Sequence, residues 1–198
     1  MLDVYVGTRS GVQRLREGEL QPLGLDGEDV TSVHADGDVV LAGSYGGGLF
    51  RSEDGGDSWS RITTGLTASA FRCFETEPGG SLLAGTEPAR LFRSADGGAS
   101  WRELDGITRI PGHEQWFLPY SPRAGAVRNV YATPGRLLAS VEVGGLLASE
   151  DGGASWTCGP VIADEDIHFV TGHPEDPDLL YAALGSASVT RPPAGERL

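Results

Sequence analysis

A chain of 198 residues with 39% hydrophobic residues, 30 Gly and 12 Pro fits one turn-rich all-β domain, and no window shows sustained helical periodicity. Its 28 acidic residues outweigh 15 basic ones to give a net charge of −13, which argues against a nucleic-acid partner. No apolar run approaches the ~20 residues that span a membrane, the start MLDVYVGTRSG lacks a signal core, and Cys73 and Cys158 have no metal spacing, so a cytoplasmic chain with reduced thiols is expected.

Residues 2–7, 11–15 and 20–25 read as three short strands. Residues 30–35, 38–45, 49–52 and 58–63 read as four more, and 71–75, 81–86, 90–94 and 100–104 as another four. Between the third and fourth strand of each set stands one eight-residue unit. It reads SEDGGDSW from Ser52 to Trp59, SADGGASW from Ser94 to Trp101, and SEDGGASW from Ser149 to Trp156. Asp54, and more weakly Ser52, can accept hydrogen bonds from the turn backbone. Gly55 and Gly56 allow positive φ. Trp59 can fold over the turn and keep its N–H for a partner.

This S-x-D-x-G-x-x-W pattern resembles the Asp-box, or bacterial neuraminidase repeat. The resemblance implies a β-propeller of four-stranded antiparallel blades in which the box joins the third strand to the fourth. It also implies a structural role for the box residues, away from any catalytic face. These are Ser52, Asp54, Gly56 and Trp59, then Ser94, Asp96, Gly98 and Trp101, then Ser149, Asp151, Gly153 and Trp156. Sialidases, xyloglucanases, sorting receptors and photosystem assembly factors all carry such boxes, so the pattern implies a scaffold and not one activity. No metal or cofactor is expected, because the calcium-loop pattern is not met.

The expected blades cover residues 1–26, 27–66, 67–106 and 127–160, with a partial fifth at 165–184. The first lacks its innermost strand. The boxes at Ser52 and Ser94 are 42 residues apart, but those at Ser94 and Ser149 are 55 apart. The 13 extra residues fall in an insertion at 105–126 that carries Trp116, Phe117 and Tyr120. Such a loop either carries function or plugs the channel. The predicted strands number 17, so the propeller closes with few blades, stays open, or is completed by partners. An open form predicts homo-oligomers through unpaired strand edges.

Arg72, Arg128 and His168 occupy one repeat position on the inner strands, where Thr31 stands in the second blade. Converging at a channel mouth, they would take an anionic ligand such as a carboxylate or phosphate. Alternatively each Arg pairs with an acid, with Glu75, Glu87 and Glu142 as candidates. Glu87 and Glu142 follow the second strands, with Tyr45 at the matching place, and could form a glycosidase acid/base pair. His113, Glu114 and Trp116 would form a rim from the insertion. Arg109-Ile110-Pro111 echoes a sialidase motif but lies at the wrong place in the chain and reads as coincidence. His34 and His173 read as solvated strand-end residues. Arg as the sole basic residue, with abundant Ala, Gly and Pro, suggests a GC-rich bacterial genome.

These readings lead to a non-enzymatic propeller scaffold that binds an anionic small molecule or a partner protein at its mouth. The alternative is a sialidase-related glycoside hydrolase acting on carbohydrate.

Overall fold

The computed structural model describes residues 3–118, 121–158, 166–173, 175–176 and 179–185. Pro119 and Tyr120 of the insertion, and Pro177 and Asp178 of the last predicted strand, lie outside them. Strands form where β-branched and aromatic residues run between Gly, Pro and Asp turns. They are β1 (Val4–Thr8), β2 (Gly11–Arg16), β3 (Glu19–Pro22), β4 (Val30–Asp36), β5 (Val39–Ser44), β6 (Leu49–Ser52) and β7 (Ser60–Ile62). Next come β8 (Phe71–Thr76), β9 (Leu82–Thr86), β10 (Leu91–Ser94) and β11 (Arg102–Leu104). Then follow β12 (Phe117–Leu118), β13 (Ser121–Ala124), β14 (Ala126–Thr133), β15 (Arg136–Glu142), β16 (Gly145–Ser149), β17 (Thr157–Cys158), β18 (Ile167–Gly172) and β19 (Leu180–Leu184).

Every sheet is an antiparallel meander in chain order: β1-β2-β3, β4 to β7, β8 to β11, β14 to β17, and β18-β19. The first sheet has no inner strand, as its sequence suggested. The strands described number 19 and not 17, because β12 and β13 pair as a hairpin inside the insertion, where a loop was expected. Two 3-10 turns, Ile107–Arg109 and His113–Gln115, precede that hairpin.

The sheets pack face to face through their inner strands: β1 on β4, β4 on β8, β8 on β14, and β14 on β18. The core is therefore a series of slabs between sheets. Val12 and Leu23 meet Val30 and Ala42 in the first slab, and Leu41 and Leu49 meet Phe71 and Phe92 in the second. Leu83 and Leu91 meet Val127 and Leu147 in the third, and Leu138 meets Ile167 and Val170 in the fourth. Each fully buried Leu or Phe contributes roughly 1.5–3 kcal/mol relative to an exposed one.

The three boxes fold alike. Ser52 Oγ donates to Asp54 Oδ1 at 2.7 Å and accepts from the Gly56 N–H at 2.8 Å. Asp54 in turn receives the Ser58 N–H at 2.8 Å and the Ser58 hydroxyl at 2.6 Å. Ser94, Asp96, Gly98 and Ser100 repeat this network, as do Ser149, Asp151, Gly153 and Ser155. The third box serine, at positions 58, 100 and 155, escaped the sequence reading although it is invariant across the copies. Gly56, Gly98 and Gly153 all have positive φ. A Cβ there would also lie 2.7–2.8 Å from a methyl of Leu23, Leu41 or Leu104 on the preceding sheet. The second glycine thus serves the turn and the slab together.

A further contact ties each box to the sheet before it. Arg51 Nε donates to the Gly97 carbonyl at 2.9 Å, and Arg93 Nη2 to the Gly152 carbonyl at 3.0 Å. The Tyr5 hydroxyl reaches the Gly55 carbonyl at 3.2 Å. The repeated Leu-Phe-Arg-Ser of β6 and β10 was the available signal for the two arginines. Trp59 Nε1 donates to the Leu23 carbonyl at 2.7 Å and Trp101 Nε1 to the Gly98 carbonyl at 3.0 Å. Trp156 Nε1 is buried with no hydrogen-bond partner in this structure.

Hydrogen bonds from Ser58, Ser100 and Ser155, chiefly their hydroxyls, hold the carboxyls of Asp54, Asp96 and Asp151 down at about 2. A depressed carboxyl contributes stability above its ordinary value of 3.8, and that stability is lost as the pH falls towards 2. The wild-type melting temperature is therefore expected to fall steeply between those pH values. The triple variant Ser58→Ala, Ser100→Ala, Ser155→Ala should show a shallower fall in a pH series of thermal melts. Parallel curves would remove the boxes from the acid response.

Candidate functional site

All four complete inner strands break register at the same place. The pairing of β4 with β5 shifts between Val30 and Ser32, and that of β8 with β9 between Phe71 and Cys73. β14 shifts between Val127 and Asn129, and β18 between Ile167 and Phe169. The residue left out of the ladder is Thr31, Arg72, Arg128 or His168. A β-bulge re-aims the side chain of its extra residue. The sequence had grouped these four; the bulge is why they share a geometry.

The structure answers what each arginine meets. Arg72 donates through Nε, at 2.9 Å, and through Nη2 to Glu87 Oε2. The Tyr45 hydroxyl donates to Glu87 Oε1 at 2.9 Å, and the Arg72 guanidinium lies 4.3 Å above the Tyr45 ring. The Glu87 side chain is 0% exposed and that of Arg72 13%. Arg128 pairs through Nε and Nη2 with Glu142 Oε2. Glu75 meets neither arginine in these contacts. Half-burial raises its carboxyl above the ordinary range.

The row continues into the last sheet. Glu142 forms a backbone bridge with Asp166, whose Oδ1 lies 2.9 Å from His168 Nε2. Glu142, Asp166 and His168 bring one ligand-type atom each within 4.8 Å of one another. Arg128 already lies on that Glu142 carboxylate, so a cation there would meet a fixed positive charge. The mouth is thus an alternation of charges: Tyr45 and Arg72 on Glu87, Arg128 on Glu142, and His168 on Asp166.

The insertion reaches the same end. Trp116 accepts a backbone bond from Gly125, the residue before β14, and its ring lies beside Gly125 and Gly144. These glycines flank the strand pair that carries Arg128 and Glu142. Trp116 also packs on the slab between the third and fourth sheets, so it is half-buried support as well as rim. The His113 ring meets it edge-on at 6.2 Å, and His113 Nδ1 lies 3.3 Å from a Glu114 carboxylate oxygen. Arg109 forms an exposed pair with Asp105 and is not brought to Arg72 or Arg128.

His34 differs from the sequence expectation. It is half-buried against the Phe74 ring, which lowers its pKa through desolvation. It lines a groove of about 350 Å³ with Asp36, Thr76, Leu82 and Gly97, at the box end and not the mouth.

No family model matches this chain, and no curated protein matches it. Solved structures do. The structure of YCF48 bound to D1 peptide matches at 19% identity and a TM-score of 0.64, covering 96% of this chain and 61% of that one. The extracellular domain of BT3049 from B. thetaiotaomicron matches at 11% identity and a TM-score of 0.76, covering 99% of this chain and 28% of that one. The GH74 xyloglucanase from Xanthomonas campestris matches at 19% identity and a TM-score of 0.59, covering 96% of this chain and 36% of that one. The chain spans less than two thirds of each of these proteins. The likeness establishes a fold of the β-propeller type, shared by binding scaffolds and glycoside hydrolases alike. No helix among the described residues is long and apolar enough to cross a membrane.

Proposed function

We propose that this chain is a non-enzymatic binding module that receives a segment of a partner protein at the inner-strand mouth. The observation that carries the reading is the pairing of both candidate carboxylates with arginine. Glu87 is closed from solvent by Arg72 and Tyr45, and Glu142 is held by Arg128. A glycosidase needs one carboxyl open to substrate as acid and another as base or nucleophile. A mouth of compensated charges suits a peptide, whose carboxylates and amides can trade into existing ion pairs. The accessible members are His168, with its side chain 49% exposed, and Arg128 at 24%. His113, Glu114 and Trp116 supply the rim. The structural neighbour YCF48, which holds a peptide, supports this reading over a small free anion.

His168→Ala is the cleanest test, because an exposed side chain can be removed with a stability change within about 0.5 kcal/mol. On a peptide array probed with labelled protein, the variant should lose signal on carboxylate-bearing peptides that the wild type retains. An unchanged array profile would remove the mouth from binding. Release of sugar from sialosides or xyloglucan fragments, abolished by Glu142→Gln, would instead establish the hydrolase.

A further inference from the structure

Three large apolar side chains stand exposed among the described residues: Val4 at 41%, Leu20 at 58% and Phe169 at 50%. They lie on two surfaces. Tyr5 and Val12 pack into the first slab, so strand alternation turns Val4, Val6, Leu15 and Leu20 to the other face of the first sheet. There Val4, Leu15 and Leu20 form one cross-strand row. In the last sheet, Ile167, Val170, Leu180 and Ala182 pack into the fourth slab. Phe169 with its partner Ala183, and Thr171 with its partner Tyr181, face the other way.

The repeat shows what these faces are built to meet. β1 holds the place of a second strand, so Val4 and Val6 correspond to Val40 and Ala42 of β5. Tyr181 corresponds to Leu41, Leu83 and Leu138. Those interior counterparts are all between 0% and 2% exposed, each buried by the neighbouring sheet. The outward face of the first sheet is thus a rear half, and that of the last sheet a front half, of an interface the chain makes four times. No packing like that between successive inner strands joins the first sheet to the last among the described residues.

We propose that a second copy of this chain covers these faces head to tail, the first sheet of one copy docking on the last sheet of the other. The contact is heterologous, and two such junctions close a ring of two copies. A copy is the fitting occupant because it alone is certain to carry both complementary halves. Apolar rows of this kind, left in water, mark association surfaces. The net charge of −13 opposes the association, so salt should strengthen it.

The test is the solution mass by light scattering after size exclusion, with the full chain at roughly 100 µM and at two salt concentrations. The wild type is expected at about twice its 20.8 kDa. Leu20→Glu and Phe169→Asp should each run at the monomer mass with unchanged circular dichroism. An equimolar mixture of the two variants keeps one intact junction, so its mass should rise above that of either alone. A wild type at monomer mass overturns the proposal, as do variants that keep the wild-type mass. A mixture that stays monomeric overturns the head-to-tail arrangement and points to a like-with-like contact.

Discussion

Arg72→Met is expected to lower the unfolding free energy by about 3–5 kcal/mol, the usual cost of removing one partner of a buried ion pair. The upper part of that range applies because the Glu87 side chain is fully buried. Two of its three printed polar contacts come from Arg72, and only the Tyr45 hydroxyl would remain of them. Methionine keeps much of the arginine's length, so lost packing adds little. The loss should appear as a lower urea midpoint at unchanged slope. Adding Glu87→Gln to Arg72→Met should recover part of the loss, since an amide needs no countercharge. Arg128→Met should cost less, because the Glu142 side chain keeps 7% exposure. A cost for Arg72→Met below about 1 kcal/mol would mean that the pair is not buried as described. The result also governs any binding study, since a variant at Arg72 would confound stability with affinity. That is why His168 is the better first probe of the mouth.

Gly65→Ala is expected to be the most disruptive single methyl addition in the chain. Gly65 has φ of +76°, where an alanine is strained by about 1–2 kcal/mol. Its Cβ would also lie 1.6 Å from the Trp101 carbonyl oxygen and 2.7 Å from the Trp101 carbonyl carbon. These are backbone atoms, so no rotamer change relieves the clash. The loop would have to leave the third sheet, breaking the bond from the Trp101 N–H to the Thr64 carbonyl at 3.1 Å. It would also unseat the Trp101 ring, which is 5% exposed within the second slab. The sum exceeds about 4 kcal/mol, in the range reserved for strain combined with core disruption. Thermal melts and tryptophan fluorescence should both report the change. Gly79→Ala is the matched control, having no atom within 4 Å of its Cβ position and ordinary φ. It should be neutral or stabilising by up to about 1 kcal/mol. Equal effects from the two substitutions would contradict the close approach at Gly65.

The amino-acid sequence alone determined the repeat, the box turns and nearly every strand. A box closes through residues two and four apart, so its Ser, Asp and Gly can be read as a turn without knowing what lies beyond it. The repeat also placed Arg72, Arg128 and His168 at one level and named Glu87 and Glu142 among the acids they could meet. Only the tertiary structure decided which acid each arginine takes, because that choice depends on bulges in four separate ladders. It also decided that Arg51 reaches Gly97, 46 residues away, and that Gly65 lies under Trp101. The insertion's hairpin was hidden because three prolines and scattered aromatics give no clean period. Finally, alternation tells which strand residues share a face, but not whether another sheet covers that face. Val4 and Val40 hold equivalent places in the repeat, yet one is 41% exposed and the other 0%, because burial belongs to the neighbour and not to the residue.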